Sequence, residues 1–162
     1  MSGCAFTGHR AIAHRHMPYI EELLLRGVRY AYERGCRDFF SGGALGFDTL
    51  AARAVLLLRE ERPDVRLRLV LPCRDQDERW SASARYEYQR ILRLADSVEY
   101  ISESYTKYCM LARNRRLVEL SDMMIAYYDG SGRGGTAYTV AAAEQVGREV
   151  YNIFPNLEKS AK

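Results

Sequence analysis

Apolar positions along the chain follow two alternating rhythms. Short apolar runs lead into longer stretches in which apolar residues return every three or four positions, as when a strand feeds a helix. Gly3-Cys4-Ala5-Phe6 reads as a first buried strand ending in Thr7-Gly8-His9-Arg10. From Pro18, Ile20, Leu23, Leu24, Val28 and Ala31 space a first helix, and Gly35 closes it as a C-terminal glycine does. Asp38-Phe39-Phe40-Ser41 gives a second strand, and Leu50, Ala54, Leu57 and Leu58 mark a second helix that stops before Pro63. Arg66 to Leu71 alternates at its start and forms a third strand ended by Pro72, with a polar loop from Cys73 to Asp77. Ala84, Tyr88, Ile91, Leu92 and Ala95 space a third helix, Val98 to Ile101 a fourth strand, and Tyr105 to Leu120 a fourth helix.

Met123 to Tyr128 is the strongest apolar run and suits a central parallel strand buried on both faces. It runs through Asp129 into Gly130-Ser131-Gly132-Arg133-Gly134-Gly135-Thr136, then a fifth helix to Val146 and a last strand from Val150 to Phe154. Pro155 to Lys162 reads as a loose tail. The alternation predicts an α/β, Rossmann-like fold: a mostly parallel sheet of about six strands with helices on both faces. One domain over residues 1–162 accommodates it. In such sheets ligands bind beyond the carboxyl ends of strands, where strand order reverses.

The glycine-rich stretch Ser41-Gly42-Gly43-Ala44-Leu45-Gly46-Phe47-Asp48 stops a strand and opens a helix, which suits a phosphate: backbone N–H groups approach closely and the helix adds its positive end. Asp48 falls in the first turn of that helix, where a carboxylate either caps free N–H groups or meets a ligand hydroxyl. Gly134, Gly135 and Thr136 repeat the pattern after the fifth strand, and Gly8, His9 and Arg10 place two cationic side chains after the first. All three segments follow strands, so they should open on one edge. Trp80 offers an aromatic plane that stacks a base or ribose, or staples its loop to the core. Tyr86, Tyr88, Tyr105 and Tyr108 read as half-buried surface residues.

Composition narrows the field. The formal charge of +3 suits a small anionic ligand and, without a local patch, disfavours nucleic acid. Cys4, Cys36, Cys73 and Cys109 lie apart, without C-x-x-C pairs, and read as buried free thiols. His14-Arg15-His16 has no partner cluster in sequence, so no metal is expected. The apolar start from Met1 to Phe6 is too short for a signal peptide, and no window approaches the run of about 18 apolar residues that spans a membrane, so a cytoplasmic protein is expected. Neither a Ser-His-Asp order, an H-E-x-x-H pair nor a G-x-x-x-x-G-K-[ST] loop is present, which leaves those enzyme classes without direct support.

Ser41-Gly42-x-Ala44-x-Gly46-x-Asp48-x-x-Ala51 resembles the glycine motif of the DNA-processing protein DprA/Smf, and the later turn is similar to that of the lysine-decarboxylase-like LOG proteins. With Thr7-Gly8-His9-Arg10, the Gln76 and Trp80 loop and Gly134-Gly135-Thr136, residues 3 to 154 most resemble the YpsA-like members of the SLOG superfamily. The resemblance implies a Rossmann-like fold and a nucleotide-derived ligand, sensed by some members and cleaved by others. Met110-x-x-Arg113-Asn114-x-x-Leu117 is similar to the LOG helix with Asn for Lys and Leu for Met, which marks Arg113 and Asn114 as ligand contacts. Thr139 occupies the position of the LOG catalytic carboxylate, leaving Asp48 and Arg113 as the candidates for catalysis if a nucleoside 5′-monophosphate is cleaved. The expected ligand is a small phosphorylated molecule of nucleotide or ADP-ribose type, with no other cofactor; a homo-oligomer and a protein partner both stay open.

Overall fold

The computed structural model describes residues 2–162; Met1, the first residue of the apolar start, lies outside the described residues. Six strands, β1 (Gly3–Gly8), β2 (Asp38–Ser41), β3 (Arg66–Cys73), β4 (Ser97–Ser102), β5 (Met123–Tyr127) and β6 (Glu149–Asn152), alternate with helices. The helices are α1 (Met17–Glu33), α2 (Phe47–Glu61), α3 (Ala82–Leu94), α4 (Cys109–Leu120), α5 (Gly134–Gln145) and α6 (Phe154–Ser160). All neighbouring strands pair in parallel, in the order β4-β3-β2-β1-β5-β6. Strands one to four step outward in one direction and β5 returns to the other side of β1. The α/β Rossmann-like reading therefore holds, and strand order reverses at the β1–β5 boundary.

Alternation along the strands separates two apolar layers. Cys4 and Phe6 of β1, Phe39 of β2, Leu67, Leu69 and Leu71 of β3, and Met123, Ile125 and Tyr127 of β5 face α1, α2, α3 and α6. Ala5, Phe40, Val70 and Met124 face the other way, against Leu117 and Val118 of α4 and Ala143 of α5. A run such as Met123–Tyr127 is apolar at every position because both of its faces are covered.

The C-terminal segment departs from the sequence expectation. Residues 154 to 160 are helical, and Leu157 is completely buried against the first layer. Pro155 lies in the first turn of α6, where its missing N–H would have had no intrahelical partner, so the segment read as a loose tail opens as a helix. Glu158 of α6 accepts from Arg15 and sits 2.9 Å from Nε2 of the fully buried His16, whose Nδ1 lies 2.7 Å from the Tyr127 hydroxyl. That hydroxyl also accepts the N–H of Ala13 at 3.1 Å, so α6 grips the loop that follows β1. Pro72 likewise falls inside β3 rather than after it. The last β2 partner of β3 is Leu69, so Pro72 has no β2 carbonyl to serve. The fourth helix begins at Cys109, later than the sequence pattern suggests.

Leu157→Ala should lower unfolding free energy by about 2–5 kcal/mol, as buried leucines do on truncation, whereas a loose tail would tolerate it. Urea denaturation followed by far-ultraviolet circular dichroism measures the difference, and an unchanged midpoint would return the segment to a tail.

Candidate functional site

A cavity of about 380 Å³ opens at the carboxyl ends of β1 and β5. From the first strand it takes Phe6, Thr7 and Gly8, then His9 and Arg10 of the following loop. The β2–α2 segment adds Ala44 and Asp48, and α5 adds Gly135 and Thr136. Met110, Arg113, Asn114 and Leu117 enter from α4, their spacing of three and four setting them on one helical face. The sequence pattern does not single out Phe6, Thr7, Met110 and Leu117 as site residues, although Met110 and Leu117 share that helical repeat with Arg113.

Arg113 dominates the interior. It is 6% exposed, its Nη1 donates to the Gly42 carbonyl, and its Nε donates to Asn114 Oδ1 at 2.8 Å. Burial pulls its guanidinium below the usual arginine range, partly offset by the attraction of Asp48. A Cβ at residue 42 would lie 2.6 Å from Nη1, so glycine at this position makes the contact sterically accessible. Asp48 is also buried: Oδ2 accepts the Ala44 N–H at 3.2 Å, while Oδ1 has no partner. Burial pushes its carboxyl above the ordinary range, against the pull of Arg113, the Ala44 N–H and Arg10.

The backbone brings these loops together. Gly46 has φ +76°, and a Cβ there would lie 1.9 Å from the Arg10 carbonyl oxygen. A glycine at the head of α2 thus lets the post-β1 loop run against it, and the Phe47 N–H donates to the His9 carbonyl at 3.2 Å. Nε2 of His9 accepts the Asp129 N–H at 3.0 Å, tying the same loop to the end of β5. Arg10 is exposed at the mouth of the cavity and has no ion-pair partner among the described residues. The first turn of α5 has no side-chain cap, so its leading N–H groups are free at the cavity wall.

Several residues marked in the sequence support the cavity without lining it. The Ser41 hydroxyl donates to the Asp48 carbonyl and accepts the Gly43 N–H, both at 3.2 Å, which braces the turn. Gly42, Gly43 and Gly46 shape that turn, and Gly134 begins α5 with φ +89°. Thr139 is fully buried, and its hydroxyl donates to the Gly135 carbonyl at 2.8 Å, so no carboxylate is offered from that position. Trp80 lies in a neighbouring cavity and packs edge-on against Tyr88, their ring centres 5.0 Å apart. All four cysteines are free and buried, and no group of metal-ligating side chains is found among the described residues. No helix among the described residues is long and apolar enough to cross a membrane.

The chain is similar to known proteins in both sequence and fold. It is 28% identical over 151 residues to the uncharacterized SPbeta prophage-derived protein YoqJ of Bacillus subtilis, covering 85% of this chain and 84% of that one. A UPF0398 protein of Bacillus thuringiensis is 31% identical over 146 residues, covering 87% of this chain and 78% of the relative. Among solved structures, DNA processing protein A from Helicobacter pylori, described by its single-stranded DNA binding mode, superposes with a TM-score of 0.65 at 22% identity. That likeness covers 99% of this chain and 73% of the other. The structural genomics target TM1055 superposes with a TM-score of 0.57 at 15% identity, over 98% of this chain and 81% of that one. At such identities these two structures speak for the fold alone. The YpsA family model, described as the YspA SLOG family, matches residues 5–155, and the chain belongs to that family.

Proposed function

We propose that the chain binds a small phosphorylated ligand of nucleotide or ADP-ribose type in the cavity at the β1–β5 boundary. The arrangement of charge carries the reading: Arg113, Arg10 and the uncapped first turn of α5 face one volume in which Asp48 is the single carboxylate. A phosphate there meets two cations and free N–H groups together. Asp48, the carboxylate on the cavity wall, accepts a ribose hydroxyl.

N-glycosidic cleavage, the LOG-like alternative, needs a carboxylate beside an oxocarbenium-like transition state. With Thr139 bonded to the backbone, only Asp48 is available for it, so binding without base release is the expected behaviour. The fold shared with the Helicobacter pylori protein supports a second reading, single-stranded DNA at the same edge. The two separate by salt, since contacts to a phosphate chain weaken steeply as salt rises.

Calorimetry with inorganic phosphate, ribose 5-phosphate, AMP and ADP-ribose should show binding by at least one phosphorylated sugar, weakened about tenfold or more by Arg113→Ala. Silence across the panel at millimolar concentration overturns the proposal, and salt-steep binding to oligonucleotides alone favours the second reading. Product analysis of the AMP sample should find no free adenine; release of adenine that Asp48→Asn abolishes would make the chain a hydrolase.

Asp48 also gives a pH signature. Its folded carboxyl holds a proton more tightly than the unfolded one, so its contribution to stability is complete at low pH and is lost as pH rises through the folded value. The stability of the wild type relative to Asp48→Asn should therefore fall from about pH 4 upward and level off once Asp48 is ionised. Urea titrations at a series of pH values measure it, and a flat difference would mean that burial does not raise this carboxyl.

A further inference from the structure

Beside the first cavity lies a second, of about 480 Å³, whose wall includes Cys73, Asp75, Gln76, Trp80, Tyr105 and Met110. Met110 lines both, so the two volumes share a wall on α4. The indole of Trp80 is held in place by its edge-on contact with Tyr88, which is itself 5% exposed. Gln76 is equally fixed: its Nε2 donates to the Gly43 carbonyl at 3.4 Å and to the Tyr88 hydroxyl at 3.2 Å. Turning the amide over would set Oε1 against the Gly43 carbonyl oxygen, so the orientation is set by the backbone. Oε1 is left without a partner and shielded from solvent, where water cannot satisfy it.

We propose that this second cavity seats a flat, amino-bearing heterocycle stacked on Trp80, so that the ligand spans both cavities, with its phosphorylated sugar in the first. The inference rests on reading the first cavity as an anion site and names the part of the ligand that reading leaves open. An indole supplies a stacking face that accepts any planar ring. Selection comes from the polar wall. The carboxylates of Asp75 and Glu78 are acceptors, against the single cation Arg79, so the site answers amino-group donors. An adenine-type ring, with its exocyclic amino group, fits that set better than hypoxanthine, which presents a carbonyl oxygen at the same position. The Gly43 carbonyl anchors Gln76 while Gly42 anchors Arg113, so one glycine turn orients a polar side chain in each cavity.

Trp80 is the only tryptophan of the chain, so its fluorescence reports this cavity alone. The intact protein is titrated with AMP, IMP, ribose 5-phosphate and adenosine, with affinities from calorimetry and emission read in parallel. AMP should quench Trp80 and bind roughly 5- to 150-fold more tightly than ribose 5-phosphate, the range expected for one stacked base. IMP should bind more weakly than AMP, and ribose 5-phosphate should bind without quenching. Trp80→Ala should reduce AMP affinity to that of ribose 5-phosphate while leaving the sugar phosphate unchanged, which also shows that the variant is folded; Trp80→Phe should retain most of the gain.

Equal affinity for AMP and ribose 5-phosphate, AMP binding with unchanged emission, or no preference over IMP overturns the proposal and leaves the anion site standing. If no phosphorylated compound binds but adenosine quenches Trp80, the anion reading fails and the ring site stands. Silence from all four overturns both. If Trp80→Ala also loses the sugar phosphate, the wild-type quenching and the Phe variant decide.

Discussion

A guanidinium taken out of water governs how this sheet edge is built. Removing such a charge from solvent costs several kcal/mol even after relaxation, and only good hydrogen-bond geometry offsets it. Arg113 meets that demand by crossing from α4 over the end of β2 to the Gly42 carbonyl, with Asn114 holding its Nε. Asp48 approaches from α2, on the other face of the sheet, and contributes attraction without a hydrogen bond. The result joins two helical layers across a strand end through one cation. It leaves positive charge in excess around the cavity, a state that a bound anion would complete.

Many surface arginines are treated differently. Arg15, Arg29, Arg34, Arg37, Arg59, Arg66, Arg68 and Arg116 all sit against carboxylates, with Asp38 shared by Arg66 and Arg68, so part of the chain's positive charge is neutralised on its own surface. Exposed pairs of this kind add little to stability, but they neutralise. Arg10 is instead unpaired among the described residues and placed at the cavity mouth, a local arrangement that the net charge of the whole chain does not show.

The periodic pattern exposed the fold because burial on both faces leaves few polar interruptions, as in Met123–Tyr127, and because Gly35 and Pro63 punctuate the helices. Convergence of the post-strand loops was legible for the same reason: in a parallel sheet all carboxyl ends share an edge. What the pattern could not reveal was decided by tertiary contact. Pro155 to Lys162 reads as a tail until Leu157 is seen in the core, and Gly134 reads as turn until its neighbours are seen in helical hydrogen bonds. Ser41 and Thr139 carry hydroxyls suited to a ligand, yet both are satisfied by nearby backbone, a choice that residue type alone does not make. Trp80 belongs to a different cavity from Arg113, a separation that depends on where α3 and α4 pack.

The docking of α6 has a mechanical meaning. Through Glu158, His16, Tyr127 and Ala13, α6 is coupled to the segment that presents Arg10, which lies nearly the whole described chain away in sequence. The last helix acts as a lever whose short arm rests behind the mouth of the cavity. Tension applied to α6, by a fused tag or an attached surface, would reach the rim by way of Tyr127 at the end of β5.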